Sequence, residues 1–142
     1  MSFQKLKKRI RKNEGYSDKP YKDQLGFYTI GYGHLITEKE SKYYVNKFKK
    51  NHFEELFEID FKKAHNQYKK NFFKKNHTTQ EKELLIEMLF QLGAKGVSRF
   101  KKMLYFLNKK QRFMASIEML DSLWYLQTPE RVNNIIKNYT KK

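Results

Sequence analysis

The sequence predicts an α+β fold of two lobes, mostly helical, with a small antiparallel β-sheet in the N-terminal lobe. Three observations carry this reading. A Gly-punctuated run rich in Tyr, Phe, Thr and Ile, from Pro20 to Ile36, interrupts an otherwise helical pattern. Phe53, Phe57, Phe61, Ala64, Tyr68 and Phe72 then recur every three or four residues, the spacing of one long amphipathic helix. Beyond it, helix-capping sequences alternate with apolar stretches of helical period. The 142 residues fit a single domain. Residues 14–50 are expected to form the small lobe and 52–73 the connecting helix, with 1–13 and 74–142 in the helical lobe.

Taken in order, Phe3, Leu6 and Ile10 share one helical face among Lys and Arg, so residues 3–13 read as a short helix that Ser2 can cap. Glu14 stands at its end, and Gly15 is a natural stop. Gly26, Gly31 and Gly33 break the following run into short twisted strands joined by tight turns. Thr37 and Glu40 have capping-box spacing, which predicts a short helix with Tyr43, Tyr44 and Phe48 as its apolar positions.

The long helix over 52–73 is expected to act as a spine between the lobes. Thr78 and Glu81 repeat the capping box, and Leu84, Leu85, Ile86, Met88, Leu89, Phe90 and Leu92 are apolar nearly all round, as in a central buried helix. Gly93 and Gly96 are expected to end it. Helical stretches follow over 98–107 and 111–120, then a tight connector over 122–127. Thr128 and Pro129 open a last helix over 129–138.

Composition narrows the function classes. The net charge of +16 comes mainly from Lys, a compact and well-hydrated cation suited to diffuse attraction. It implies an anionic partner, met equally by nucleic acid or by the phosphate- and carboxylate-bearing polymers of a bacterial wall. A solubilising surface in a Lys-rich composition is the plain alternative. With no Cys, thiol nucleophiles, disulfides and thiolate metal sites are excluded. The four His residues lack paired ligand spacing, so no metal site and no cofactor are expected. The basic N-terminus is not followed by an apolar run, and no stretch suits a bilayer span, so a soluble cytosolic product without signal peptide is expected.

Glu14 and Asp23 stand nine residues apart around the first Gly-rich turn, with Thr29 just beyond. A carboxylic acid at a helix end, with a second carboxylate and a hydroxyl on Gly-broken strands, can place an acid and a water-handling base across a glycosidic bond. Two carboxylates in a charge-rich chain can equally be a solvated face, so context decides.

That context is a resemblance. The segments E-G-Y-S-D-K-P-Y-K-D-Q-L-G-F-Y-T-I-G-Y-G-H-L (Glu14 to Leu35), F-Q-L-G-A-K-G-V-S-R-F (Phe90 to Phe100) and S-L-W-Y-L-Q-T-P-E-R (Ser122 to Arg131) resemble, in order, the phage-type lysozymes, the endolysin muramidases. The resemblance implies a lysozyme-like fold that cuts the β-1,4 bond between N-acetylmuramic acid and N-acetylglucosamine by inverting displacement, in a cleft between the lobes. Glu14 matches the general acid, Asp23 the second catalytic carboxylate and Thr29 the water-holding hydroxyl. Arg131 matches an arginine that orients the acid, while His34 and Asp60 match a structural pair that would raise the His pKa and depress the Asp pKa. Leu35, Phe90, Gln91, Trp124 and Gln127 match cleft positions, Phe90 being equally readable as core.

Met103, Glu118 and Leu123 depart from the family's usual residues, and the chain is shorter between His34 and the long helix and at the C-terminus. Looser recognition of saccharide or cross-linking peptide is implied. Bacterial peptidoglycan is the expected partner, with anionic wall polymers beside it, and the enzyme is expected to be a monomer. A host-lysis role implies waiting in the host cytoplasm until release to the periplasm or wall.

Two rivals remain: a lysozyme-like protein that binds wall without cutting, and a basic nucleic-acid-binding protein. The latter predicts steeply salt-dependent DNA binding and leaves the Glu14, Asp23 and Thr29 arrangement unexplained. Thr29 to Gly33 resembles a potassium-channel filter, which needs membrane-spanning helices that the sequence lacks.

Overall fold

The computed structural model of the protein describes residues 3–141, except for the side chain of Val45. Helix α1 (Gln4–Glu14) is followed by strands β1 (Ser17–Lys22), β2 (Tyr28–Gly31) and β3 (His34–Leu35), then by two 3₁₀ turns, Glu38–Glu40 and Tyr43–Val45. The remaining elements are α2 (Lys50–Phe72), α3 (Thr79–Ser98), α4 (Lys101–Asn108), α5 (Arg112–Leu120), α6 (Leu123–Gln127) and α7 (Pro129–Thr140). This is the expected α+β architecture. Its one sheet among the described residues has the antiparallel order β1-β2-β3.

Contacts divide the chain into two compact units, residues 1–63 and 64–142, with the boundary inside α2. The sequence reading places residues 1–13 with the C-terminal helices, whereas their contacts group them with the first unit. The reason is visible in α1. Leu6 and Ile10 are buried, Phe3 meets Phe61 at 6.0 Å between ring centroids, and Lys7 bonds Glu58 at 2.7 Å. Arg11 lies over the Phe57 ring. All these partners lie on the first half of α2. Ser2, expected to cap α1, falls outside the described residues.

The sheet covers a core of Ile30, Tyr44 and Phe53, with Tyr32, Ile36, Phe48 and Leu56 packed around it. Bulky rings let so small a lobe bury enough apolar area to hold three short strands. Between Thr37 and Phe48 the structure departs from expectation. A capping box is present, but it opens the first of two separate 3₁₀ turns rather than a helix. Tyr44 is drawn into the core while Tyr43 stays exposed, so the segment follows the core surface rather than a regular helical stripe.

In the second unit, Leu84 through Leu89 are all buried, so this stretch of α3 is enclosed on every side, as its composition predicted. Helix α4 packs on α5, and α7 packs on α3, α5 and α6. Gly93 breaks α3 with a left-handed φ of 75°, but the chain resumes helical geometry and runs on to Ser98. Gly96 therefore lies inside the helix and does not end it. The segment expected as a connector over 122–127 contains α6, begun by the Ser122 hydroxyl accepting from the Tyr125 N–H at 3.1 Å.

Candidate active site

The first unit holds six of the predicted residues: Glu14, Asp23, Thr29, His34, Leu35 and Asp60. Glu14 is the last residue of α1, where Gly15 returns its N–H to the Arg11 carbonyl at 3.0 Å and ends the helix. Its half-buried side chain runs back against the turn between β2 and β3. There the carboxylate lies so close to the Gly33 Cα that a Cβ at that position would collide with Oε2. Gly33 also has a φ of 76°, so both backbone conformation and space require glycine. This explains a glycine that the sequence showed only as a strand breaker.

Asp23 forms the turn between β1 and β2. Its Oδ1 accepts from the Leu25 and Phe27 N–H groups, both at 2.9 Å, while its own N–H donates to the Phe27 carbonyl at 2.9 Å. An aspartate that closes its own turn is fixed in orientation without further support. Its Oδ2 carries no hydrogen bond among the described residues. Thr29 follows on β2, 2% exposed, with its hydroxyl donating to the Phe27 carbonyl at 3.0 Å. The proton is thereby committed, and the oxygen retains lone pairs that can accept from a water.

Thr29 is flanked in register by Tyr21 on β1 and by Leu35 on β3. Tyr21 was not singled out from the sequence. Burial, then the charges of Glu14 and Asp23, raise its pKa above the usual tyrosine value, so its phenol senses both carboxylates. The only sequence signal for it was its position two residues before Asp23, which alone gives no direction. Leu35 is exposed and free to meet a ligand.

His34 occupies the other sheet edge. Its Nδ1 lies 2.7 Å from Asp60 Oδ2 on α2, and its Nε2 lies 2.9 Å from Glu40 Oε2. A carboxylate can only accept, so this pair of contacts favours a ring protonated at both nitrogens. Burial pulls the His34 pKa down, but the hydrogen bond and charge of Asp60, followed by those of Glu40, more than offset it and leave the pKa raised. Burial likewise works against the Glu40 carboxylate. The Thr37 N–H at 3.0 Å and His34 outweigh it and hold the pKa below the ordinary range. Asp60 is the expected partner. Glu40 was legible only as a capping residue, because its approach to His34 depends on how the 3₁₀ turn sits.

The second unit holds Phe90, Gln91, Trp124, Gln127 and Arg131. Trp124 is 4% exposed, packed edge-on against Phe100, and donates from Nε1 to Gln91 Oε1 at 2.9 Å. Its ring is therefore no open stacking face. Instead it fixes the Gln91 amide, whose nitrogen approaches Thr128 Oγ1 at 3.4 Å. Phe90 and Gln127 are half-buried. Arg131, near the start of α7, has its Nε 3.7 Å from Glu87 Oε2, a fully buried carboxylate on α3. Glu87 was missed because it sits inside the most apolar segment of the chain. Among the described residues no cluster of His, Asp or Glu suits a metal ion, and no helix is long and apolar enough to cross a membrane.

Comparison with known proteins gives one answer. The model of the phage lysozyme family matches residues 11–137. Probable T4-type lysozyme 2 of Dictyostelium discoideum is 34% identical over 154 aligned residues, which cover 92% of this chain and 91% of that protein. Probable T4-type lysozyme 1 of the same organism is 33% identical with the same coverage.

Proposed function

The chain belongs to the phage lysozyme family, and from that premise we propose that it hydrolyses the β-1,4 bond between N-acetylmuramic acid and N-acetylglucosamine in bacterial peptidoglycan by single, inverting displacement. Glycoside hydrolase activity of the lysozyme type, on peptidoglycan, is what the family supports. The bond polarity, the stereochemistry and the residue roles are our reading.

One observation carries it: the Glu14 carboxylate is set against the backbone of the same small sheet that presents Asp23 and Thr29. In this reading Glu14 is protonated and gives its proton to the leaving oxygen as the glycosidic bond breaks. A water bound to the Thr29 hydroxyl attacks the anomeric carbon from the other side and yields its proton to Asp23. Both carboxylates are thereby left to exchange protons with solvent before the next turnover. By the family resemblance we assign Leu35 of the first unit and Phe90, Gln91 and Gln127 of the second to the sugar, with Trp124 acting through Gln91 and Arg131 as a supporting residue. The biological setting we propose is lysis of a bacterial host, with the enzyme held in the host cytoplasm until it is released to the wall.

The test uses purified wild-type and Glu14→Gln protein on Gram-negative sacculi, with released fragments identified by mass spectrometry. Wild-type protein should give muropeptides ending in reducing muramic acid. Glu14→Gln, equally well folded, should be slower by about 10²–10⁴-fold, the usual loss for a general acid. Full activity in the variant would sink the mechanism.

A further inference from the structure

We infer that a corner of the second unit, where the end of α2 meets the end of α4, binds single-stranded nucleic acid. The sequence has two long stretches without any Asp or Glu, residues 61–80 and 88–117. Folding joins them. His77 donates from Nε2 to Asn108 Oδ1 at 2.9 Å and takes the Tyr68 hydroxyl on Nδ1 at 2.8 Å, while Lys110 Nζ donates to the Asn76 carbonyl at 2.7 Å. Lys69, Lys70, Lys74, Lys75 and Lys109 are exposed there, and none of them has an acidic partner among the described residues. Glu81, the first acid after the turn, is buried and taken by Lys110. The first unit differs, since its Lys7 and Arg11 share Glu58. A surface that only solubilises mixes both signs, so this segregation marks a site for a polyanion.

Charge alone does not choose the polymer, and the rings do. Phe73 is 73% exposed with Lys74 Nζ 5.5 Å from its centroid, and Tyr105 is 58% exposed with Lys109 Nζ 5.8 Å from its centroid. Each pairs an open aromatic ring with a cation. A polyol phosphate of a bacterial wall brings charge but nothing flat to stack. An unpaired nucleotide strand brings both, phosphates for the lysines and bases for the rings. A duplex keeps its bases stacked inside and leaves the rings idle. Lysine, without the planar fork of Arg, suits backbone attraction with no reading of base edges, so no sequence preference is expected. The corner is distinct from the site residues of this unit. It adjoins the start of α3 at Thr79, whereas Gln91, held by Trp124, lies about 18 Å further along that helix.

The experiment is calorimetric titration of the full chain with a single-stranded oligothymidylate and, separately, with inorganic polyphosphate, at several salt concentrations. Wild-type protein should bind both. The double variant Phe73→Ser/Tyr105→Ser should lose at least about tenfold in affinity for the oligothymidylate, since two stacking platforms are gone, while its polyphosphate affinity and its rate on sacculi stay at wild-type values. Lys74→Gln/Lys75→Gln should weaken both ligands and flatten the salt dependence. Lys5→Gln/Lys8→Gln, the same charge change at exposed positions of α1, should do so far less. Wild-type protein that leaves the oligothymidylate unbound overturns the inference. A ring variant that binds it as tightly as wild type does so too, and assigns the corner to a polyanion without bases. Equal losses from the α1 pair and the corner pair would credit the net charge of the whole chain and overturn the inference as well. The readout is binding, so it stands or falls independently of the hydrolytic reading. Both ring positions are exposed, so folding should survive; if the pair does not fold, Tyr105→Ser alone gives the same comparison.

Discussion

Threonine followed three residues later by glutamate occurs once in each unit as a capping box, and the two copies serve different ends. In the first unit, Glu40 takes the Thr37 N–H and hydroxyl and also His34, with a quarter of its side chain still exposed. In the second, Glu81 is buried, accepting from the Thr78 N–H at 2.7 Å and from Lys110 Nζ at 2.6 Å. Lys110 also donates to the Asn76 carbonyl at 2.7 Å, so Glu81 ties the start of α3 to the turn between α4 and α5. That turn needs tying, since Lys110 has a left-handed φ of 62° that costs a non-glycine residue stability. The same local signal thus supports a titratable histidine beside the candidate site in one unit and a structural joint in the other. The difference is set by the partner that tertiary packing delivers. Damage at Glu14 and its seat on Gly33 should therefore appear mainly as lost activity, and damage at the Glu81 joint mainly as lost stability.

The largest expected effect tests the first half of that contrast. Gly33→Ala puts a methyl where the Glu14 carboxylate now rests and forces alanine into a left-handed conformation. Displacing an acid by about an ångström costs on the order of 10²-fold in rate, whereas the backbone strain costs only about 1 kcal/mol. Turnover on sacculi and thermal melting, measured on one preparation, should therefore diverge. A variant that melts much earlier yet retains its rate per folded molecule would break the comparison.

How much of this could be read in advance obeys the same division. The long helix, the buried α3 and both capping boxes were legible because each rests on spacing within one segment, which the backbone enforces locally. Glu14, Asp23 and Thr29 could be singled out as candidates because they sit in one Gly-broken stretch, and as family positions through the resemblance. What remained hidden depends on contacts between segments. Glu40 reaches His34 only after Tyr44 draws the 3₁₀ turns onto the core. Glu87, charged and buried amid leucines, needs Arg131 from α7 beside it to make sense. Trp124 was expected at the cleft, and only packing against Phe100 shows that its ring is turned inward.

Glu81→Ala tests the second half, with a smaller effect. It removes the Glu81 half of the capping box at the start of α3 and the anchor of Lys110, leaving Lys110 able to swing into solvent. The cost should be about 2 kcal/mol, at the upper end for losing a cap. Chemical denaturation should show that drop with an unchanged rate per folded molecule. Loss of rate without loss of stability would mean that this joint communicates with the site after all.

The finest distinction is in pH. His34 has its pKa raised on folding, so it contributes stability that is fully present below its unfolded value near 6.5 and disappears as pH climbs through the higher folded value. Glu40 behaves in the opposite sense: its pKa is lowered, so its contribution is present above the unfolded value and is lost as pH falls through the folded one. The cluster should therefore stabilise the first unit most between those limits. Glu81, whose pKa is also lowered, shares only the acid limit: its contribution is present above the unfolded value and is lost as pH falls through the folded one. Replacing His34 by Asn should thus cost about 1 kcal/mol near pH 6 and progressively less above neutrality, while the cost of Glu81→Ala stays flat over the same range. NMR titration of the His34 ring gives the direct check. A midpoint at the ordinary histidine value would mean that the two carboxylates do not hold the proton, and the pH contrast between the units would vanish with it.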